Sequence, residues 1–300
     1  MDRSPTYFDP HRLAPLKGLR LRAKHLVEGF VAGLHRSPLH GFSVEFAEHR
    51  DYSAGDDLRY LDWKLYAKRD KYFVKRFEDD TNLIAYLALD VSESMTYQGS
   101  DSPLSKLEFG QALLAALTWL ILNQQDAVAI ATFDTQVRQA LRPTSDVTQT
   151  KALLNVYERI QPVGKTRFRE ALRELAGRWK KRGLALVVSD FLDEPQPIMA
   201  GLSALVAANH DVVVWHVVDR CEADFPFTQP LRIQGLEGWG RRDVEAAAIR
   251  QAYRREYERH CKTLQARCRG MGIEYLRVLT DEPCARPLVR FLHHRMSRLG

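Results

Sequence analysis

Leu83-Ile84-Ala85-Tyr86-Leu87-Ala88-Leu89-Asp90-Val91-Ser92-Glu93-Ser94-Met95 decides how the rest of the chain is read. A strand with one wet face alternates apolar and polar residues; a nearly unbroken apolar run through Leu89 predicts a strand covered on both faces. The pattern downstream supplies the cover. An apolar helix is predicted over 104–123. Strands over 127–133 and 137–141 flank Asp134-Thr135-Gln136 and predict a hairpin whose second strand lies at a sheet edge. Helices follow over 147–160 and 167–180. A second buried strand, 184–188, ends at Ser189-Asp190. A helix over 198–208, a strand over 211–218, a turn-rich segment with Pro226, Pro230, Gly235, Gly238 and Gly240, a long helix over 244–269, a strand over 273–279 and a helix over 287–298 complete the series. Alternation of this kind predicts an α/β fold with a mostly parallel central sheet, helices on both faces and one antiparallel edge strand.

Upstream of residue 81 the character changes. Leu19, Leu26, Phe30 and Leu34 recur near helical spacing within 16–34, residues 35–70 read as loops and short strands, and Tyr72, Phe73, Val74 and Phe77 support a strand. Two domains are therefore expected, residues 1–80 and 81–300, in keeping with 300 residues at about 150 per domain. The second would include an extended turn-rich segment and long helix near 220–270.

Composition narrows the function classes. The chain is 45% hydrophobic, enough for a sizeable core, with 44 basic against 38 acidic residues. The basic excess is concentrated at the end, because residues 241–300 hold 14 Lys and Arg against 7 Asp and Glu. Arg250, Arg254, Arg255, Arg259 and Lys262 form a stripe on the long helix, but Glu256 and Glu258 interrupt it and no aromatic stacking signature accompanies it, so nucleic acid is not the expected partner. Four cysteines, Cys221, Cys261, Cys268 and Cys284, form no CxxC pair, and no apolar signal segment opens the chain, which suggests a reduced, cytoplasmic setting. The longest uncharged run, 109–125, contains Gln111, Thr118, Asn123, Gln124 and Gln125; a bilayer span takes roughly 20 mainly apolar residues, so no membrane span is expected.

The chemistry collects at strand ends. In an open parallel sheet, ligands gather outside the carboxyl ends of the strands, above all where strand order reverses. If the chain continues extended past Asp90, alternation sends Asp90, Ser92 and Ser94 to one side and presents a carboxylate with two hydroxyls. Such an oxygen cluster suits Mg²⁺, or Mn²⁺, which takes near-octahedral oxygen at roughly 2.1 Å and keeps several waters. Asp90-x-Ser92-x-Ser94 after an apolar strand resembles the metal-ion-dependent adhesion site of von Willebrand factor A domains. That resemblance implies that Thr166, in Gly164-Lys165-Thr166, and Asp190 complete the site. It implies direct metal contact for Ser92, Ser94 and Thr166, an indirect role through water for Asp90 and Asp190, and an open position for an acidic group of a partner. Read for themselves, Thr166 could simply cap the helix that follows and Asp190 could be a turn residue. Asp134 and Asp193 are expected in turns, and His210 and His216 in packing.

A second signature lies upstream. Arg50-x-Tyr52-x-x-Gly55-Asp56-Asp57-x-Arg59-x-x-Asp62-Trp63, with Gly41-Phe42-x-x-Glu45-Phe46 before it, resembles the uncharacterised von Willebrand A-like proteins found beside MoxR-type AAA+ ATPases. The resemblance implies a soluble, chaperone-like partner of such an ATPase that acts on a client protein. The block itself reads as a small scaffold, with carboxylates of a tight turn holding amides or Arg50 and Arg59, and Trp63 and Tyr66 as an apolar anchor. A metal-dependent hydrolase or phosphatase built on the same oxygens is the alternative. Against it, Ser92 stands where a phosphotransfer aspartate would need a second carboxylate, Arg159 stands where a phosphate-binding loop ending at Gly164-Lys165-Thr166 would need glycine, and there is no GxSxG elbow. No enzymatic activity is expected on this reading.

Overall fold

In the computed structural model the described residues are Leu19, Arg22, Leu26, 49–51, 73–75, 83–162, 164–234, 240–284 and 286–291. The chain divides into two units, residues 33–82 and residues 1–32 with 83–300. In the smaller unit β1 (His49–Asp51) pairs antiparallel with β2 (Phe73–Lys75), opposing Arg50 to Val74. Most of the upstream signature, from Gly41 to Phe46 and from Tyr52 to Tyr66, lies outside the described residues.

The larger unit is built on a six-stranded sheet. In chain order its elements are β3 (Ile84–Asp90), α1 (Lys106–Asn123), β4 (Ala127–Phe133), β5 (Val137–Ala140), α2 (Thr150–Glu158), α3 (Phe168–Arg178), β6 (Leu184–Ser189), α4 (Pro195–Ala207), β7 (Asp211–Val218), α5 (Arg220–Asp224), β8 (Leu231–Gln234), β9 (Arg241–Val244), α6 (Ala246–Gly270) and β10 (Glu274–Leu279). Strand order is β10-β7-β6-β3-β4-β5, parallel throughout except β5, which runs antiparallel at the edge. This is the doubly wound architecture expected of a von Willebrand A domain.

Burial explains the near-continuous apolar strands. Tyr86, Ala88, Ala129, Ala131, Ala185, Val187, Val212 and Val214 form one face of the sheet and pack with Phe168, Leu172 and Leu175 of α3, Ile198, Leu202 and Leu205 of α4, and Leu264 of α6. The alternate residues face α1, whose Gly110 lies over Leu89 and Val188. Each Val, Leu, Ile or Phe side chain so enclosed contributes roughly 1.5–3 kcal/mol, and each Ala less. The helix α1 starts with a capping box, in which Ser105 Oγ accepts from Glu108 N while Glu108 Oε2 accepts from Ser105 N. Close helix contact is set by Gly201 of α4, where a Cβ would lie 2.5 Å from the Phe168 carbonyl of α3. Near the chain start, Leu19 and Leu26 are buried helical residues, and Leu19 N donates to Glu158 of α2.

Two segments differ from the sequence reading. The stretch expected as one helix over 147–160 opens with a 3-10 turn, Val147–Gln149, capped by Asp146 before α2 begins. The turn-rich segment near 220–244 holds α5 and the β8–β9 hairpin; their short lengths, with Pro226, Pro230 and Gly240 between, conceal any period. Among the described residues no helix is long and apolar enough to cross a membrane.

Candidate functional site

The strand order reverses between β3 and β6. From β3 the chain proceeds outward to β4 and β5, then returns to β3's other side to lay down β6. Side chains at the two carboxyl ends therefore meet in the crevice that a doubly wound sheet leaves at its switch point. Asp90 ends β3 and Ser189 ends β6, with Leu89 and Val188 paired on the rung just below.

Asp90 is fully buried and its carboxylate is the hub. Oδ1 accepts from Ser92 N at 3.0 Å, and Oδ2 accepts from Ser189 Oγ at 2.6 Å. Thr166 Oγ1 lies 2.9 Å from both carboxylate oxygens although it is 76 residues away in sequence. The hydroxyls of Ser92 and Ser94 are 3.1 Å apart, and Ser94 is near enough to Asp190 to help hold its carboxyl low. All five expected residues, Asp90, Ser92, Ser94, Thr166 and Asp190, thus belong to one connected cluster.

The chain reaches this arrangement by a different path from the one alternation predicts. It leaves the extended conformation after Ser92, which stands just before a 3-10 helix, Glu93–Thr96, so Ser94 comes back toward Ser92 through a turn. The Thr166 loop is fixed on both sides: Glu93 N donates to the Gly164 carbonyl, and Arg167 N donates to the Asp134 carbonyl. Gly164 sits at φ +70°, a left-handed conformation that favours glycine. Thr166 is not the cap of α3, because Arg167 precedes that helix and makes no side-chain cap. Beyond β6, Phe191 is held at φ +48° while its ring stacks on Phe168 at 5.4 Å and its N–H donates to Ser189 Oγ. A non-glycine residue in that region is strained, and its burial over-determines the bend that presents Asp190.

Lys106 and Glu222 enter the site without having been expected there. Lys106, in the first turn of α1, has no exposed side-chain surface; its Nζ donates to Asp190 Oδ2 and to Glu222 Oε1, each at 2.7 Å. One signal was available in the sequence, since a cation in the first turn of an otherwise apolar helix opposes the helix dipole. Asp219 braces the same side: Oδ2 accepts from Gly99 N and Ser102 Oγ, and Oδ1 from Cys221 N. Gly99 allows that approach, since a Cβ there would lie 2.3 Å from Asp219 Oδ1.

The two central carboxylates have opposite electrostatics. Burial, reinforced by the nearby charge of Asp190, pushes Asp90 up to about 7 despite its three hydrogen-bonding partners. Burial would also push Asp190 up, but the Lys106 ammonium and hydrogen bonds hold it below the usual carboxylate range. Burial acts against the charged form of Lys106 as well, and its two carboxylate partners overcome that and raise it.

No group of three or more His, Cys, Asp or Glu able to hold a metal occurs among the described residues. The cluster is instead two carboxylates with the hydroxyls of Ser92, Ser94, Thr166 and Ser189. That donor set fits a small hard divalent cation, and Asp90 is a fully buried carboxylate.

Other expectations can be placed too. Asp134 accepts from Thr135 and Gln136 in the β4–β5 turn and pairs with Arg138, and Asp193 accepts from Glu194 N. His210 packs against Tyr86 and Trp179, and His216 against Phe191 and Tyr275. The basic stripe borders an open groove of about 720 Å³ lined by Arg254, Arg255, Arg259, Lys262 and Arg277, where Glu258 pairs with Lys262 and Arg277.

Comparison with known proteins gives three kinds of likeness. The family described as "Protein of unknown function DUF58" matches residues 48–263. Uncharacterized proteins Rv1480 of Mycobacterium tuberculosis and Mb1516 of Mycobacterium bovis are each 28% identical over 292 residues, covering 96% of this chain and 90% of theirs. Among solved structures, the conserved hypothetical protein BatB of Bacteroides thetaiotaomicron is similar at 19% identity and a TM-score of 0.47, over 72% of this chain and 99% of that one. The SpRpn10 VWA domain is similar at 11% identity and a TM-score of 0.40, over 68% and 92%.

Proposed function

We propose that this chain, which belongs to the DUF58 family of proteins of unknown function, is a protein-interaction module that grips an acidic side chain of a partner through a divalent cation at the switch-point cluster. Ser92, Ser94 and Thr166 would hold Mg²⁺, or Mn²⁺, directly, with Asp90 and Asp190 supporting from behind. When bound, the ion supplies an unfilled coordination position with high affinity for one more anionic oxygen. The protein's own residues do the rest: Ser189 and Thr166 fix the Asp90 carboxylate, Lys106 fixes Asp190, and the strained bend at Phe191 keeps the two acids facing one crevice. The observation that carries this reading is the pairing of Thr166 Oγ1 with both oxygens of Asp90 across 76 residues of sequence.

The partner that fits the sequence resemblance is a MoxR-type AAA+ ATPase, with this chain acting beside it on a client protein. The test is capture of the purified ATPase by the wild type and by Asp90→Ala and Ser92→Ala, each in Mg²⁺ and in chelator. Capture by wild type in Mg²⁺ alone, lost in both variants, is the expected result; equal capture in chelator would end the proposal.

A second reading has one observation in its favour. Asp90, pushed up to about 7, lies where a general acid or base works best. Against a metal-dependent hydrolase or phosphatase, the second carboxylate is tied to Lys106 and is not free to carry a proton. A screen of phosphoesters and amides with Mg²⁺ or Mn²⁺ separates the readings: turnover that disappears in Asp90→Asn would favour the enzyme.

A further inference from the structure

The buried ammonium of Lys106 is costly on three counts. It has no exposed side-chain surface, it stands in the first turn of α1 where the helix dipole repels it, and burial of an ion pair is repaid only by good partners on every side. Its partners are Asp190 Oδ2 and Glu222 Oε1 at 2.7 Å each, with the Tyr97 ring centroid 5.6 Å away. Asp190 belongs to the oxygen cluster. Glu222 does not; it comes from α5, beyond β7, and meets the cluster through the ammonium of Lys106. Among the described residues the local acidic groups are Asp90, Asp190, Glu222 and Asp219, and Asp190 and Glu222 share the one ammonium of Lys106.

We infer that Lys106 is a built-in competitor for the divalent cation, and that Glu222 sets the strength of that competition by neutralising part of the charge on the ammonium it shares with Asp190. The inference rests on the metal-dependent reading above and deepens it, since it identifies what tunes the site. Every approaching cation meets the field of Lys106 at close range, in a buried setting where charge is weakly screened. The same ammonium cancels part of the local negative charge after loading, so a partner's carboxylate is repelled less by Asp90 and Asp190. Lys106 thereby trades tightness for the ion against tightness for the acidic partner. A purely structural lysine would do neither, and its removal would only loosen the site.

Mn²⁺ binding to the purified full-length chain, read from the electron paramagnetic resonance of the free ion in chelator-treated buffer at neutral pH, tests this without reference to activity. Circular dichroism checks that each variant folds. Lys106→Met is expected to bind Mn²⁺ about ten-fold or more tighter than wild type, and Glu222→Gln about three-fold or more weaker, although neither residue is a proposed ligand. The double variant, which loses one charge of each sign, is expected to lie between them. Unchanged or weaker binding by Lys106→Met overturns the inference. If that variant does not fold, Glu222→Gln decides alone, and unchanged or tighter binding overturns it. Failure of the underlying reading looks different: wild type and Asp90→Ala would then bind Mn²⁺ equally poorly, and both proposals fall together.

Discussion

Replacing Asp90 with Asn should stabilise the metal-free protein at alkaline pH while removing its response to Mg²⁺. The carboxyl is raised from 3.8 to about 7 by burial and by Asp190. At about 1.4 kcal/mol per unit, ionising it in the folded protein withholds about 4 kcal/mol of stability. Asparagine removes that penalty. It keeps a carbonyl for Ser92 N, its amide can donate to the Ser189 or Thr166 hydroxyl, and the raised value of the carboxyl already includes its charge-assisted hydrogen bonds. The net gain above pH 7 is therefore about 4 kcal/mol, or about 8–16 °C in Tm. The sign follows from linkage. Below the unfolded value both states hold the proton and nothing is lost; as pH rises from there to about 7 the unfolded chain releases it first, so wild-type stability falls. Asp190, held low, acts in the opposite sense below the usual carboxylate range, and it is present in both proteins. Thermal unfolding followed by circular dichroism at about pH 5 and about pH 8, in chelator and in Mg²⁺, reads the effect. The variant's advantage should be small at the lower pH, where wild type has lost only about 1.5 kcal/mol, and much larger at the higher, where it has lost about 4 kcal/mol. Mg²⁺ at about a hundred times its Kd should then return about 2.7 kcal/mol to wild type and nothing to the variant. A variant no more stable than wild type in chelator at the higher pH, or one that Mg²⁺ stabilises equally, would refute the electrostatic description of Asp90.

Other expectations follow from particular contacts. Gly99→Ala drives a methyl into Asp219 and Cys221 and should cost about 1–3 kcal/mol in urea unfolding; a neutral result would mean the Asp219 brace is dispensable. Tyr157→Phe should be neutral or stabilising by about 1 kcal/mol, because the buried hydroxyl has no hydrogen-bond partner among the described residues, and the Gln111 bond to its backbone carbonyl is untouched. In the basic groove, where Glu258 already pairs with two of the cations, duplex DNA should bind only in the non-specific range, about 10⁻⁴–10⁻⁶ M at physiological salt. Tighter, steeply salt-dependent binding that Arg254→Glu abolishes would restore the nucleic-acid reading.

The fold was legible because its signal is local. Unbroken apolar strands such as 184–189 and 211–218, spaced by helices, admit few arrangements other than a covered parallel sheet, and Asp134-Thr135-Gln136 marks the reversal of direction at the edge of that six-stranded sheet. Elements too short to show a period, the five-residue α5 and the four-residue β8 and β9, were not legible. The oxygen types and their order along the chain were likewise written in the sequence from Asp90 to Asp190. Only tertiary structure decided that Ser94 returns through a 3-10 turn, that Thr166 turns its hydroxyl onto Asp90 and not onto α3, and that a lysine from α1 and a glutamate from α5 meet at Asp190. The physical reason is one of range. Periodicity reports which face of an element is buried, whereas the charge a buried group experiences is set by whichever side chains the crossovers bring within a few ångströms, from any distance along the chain.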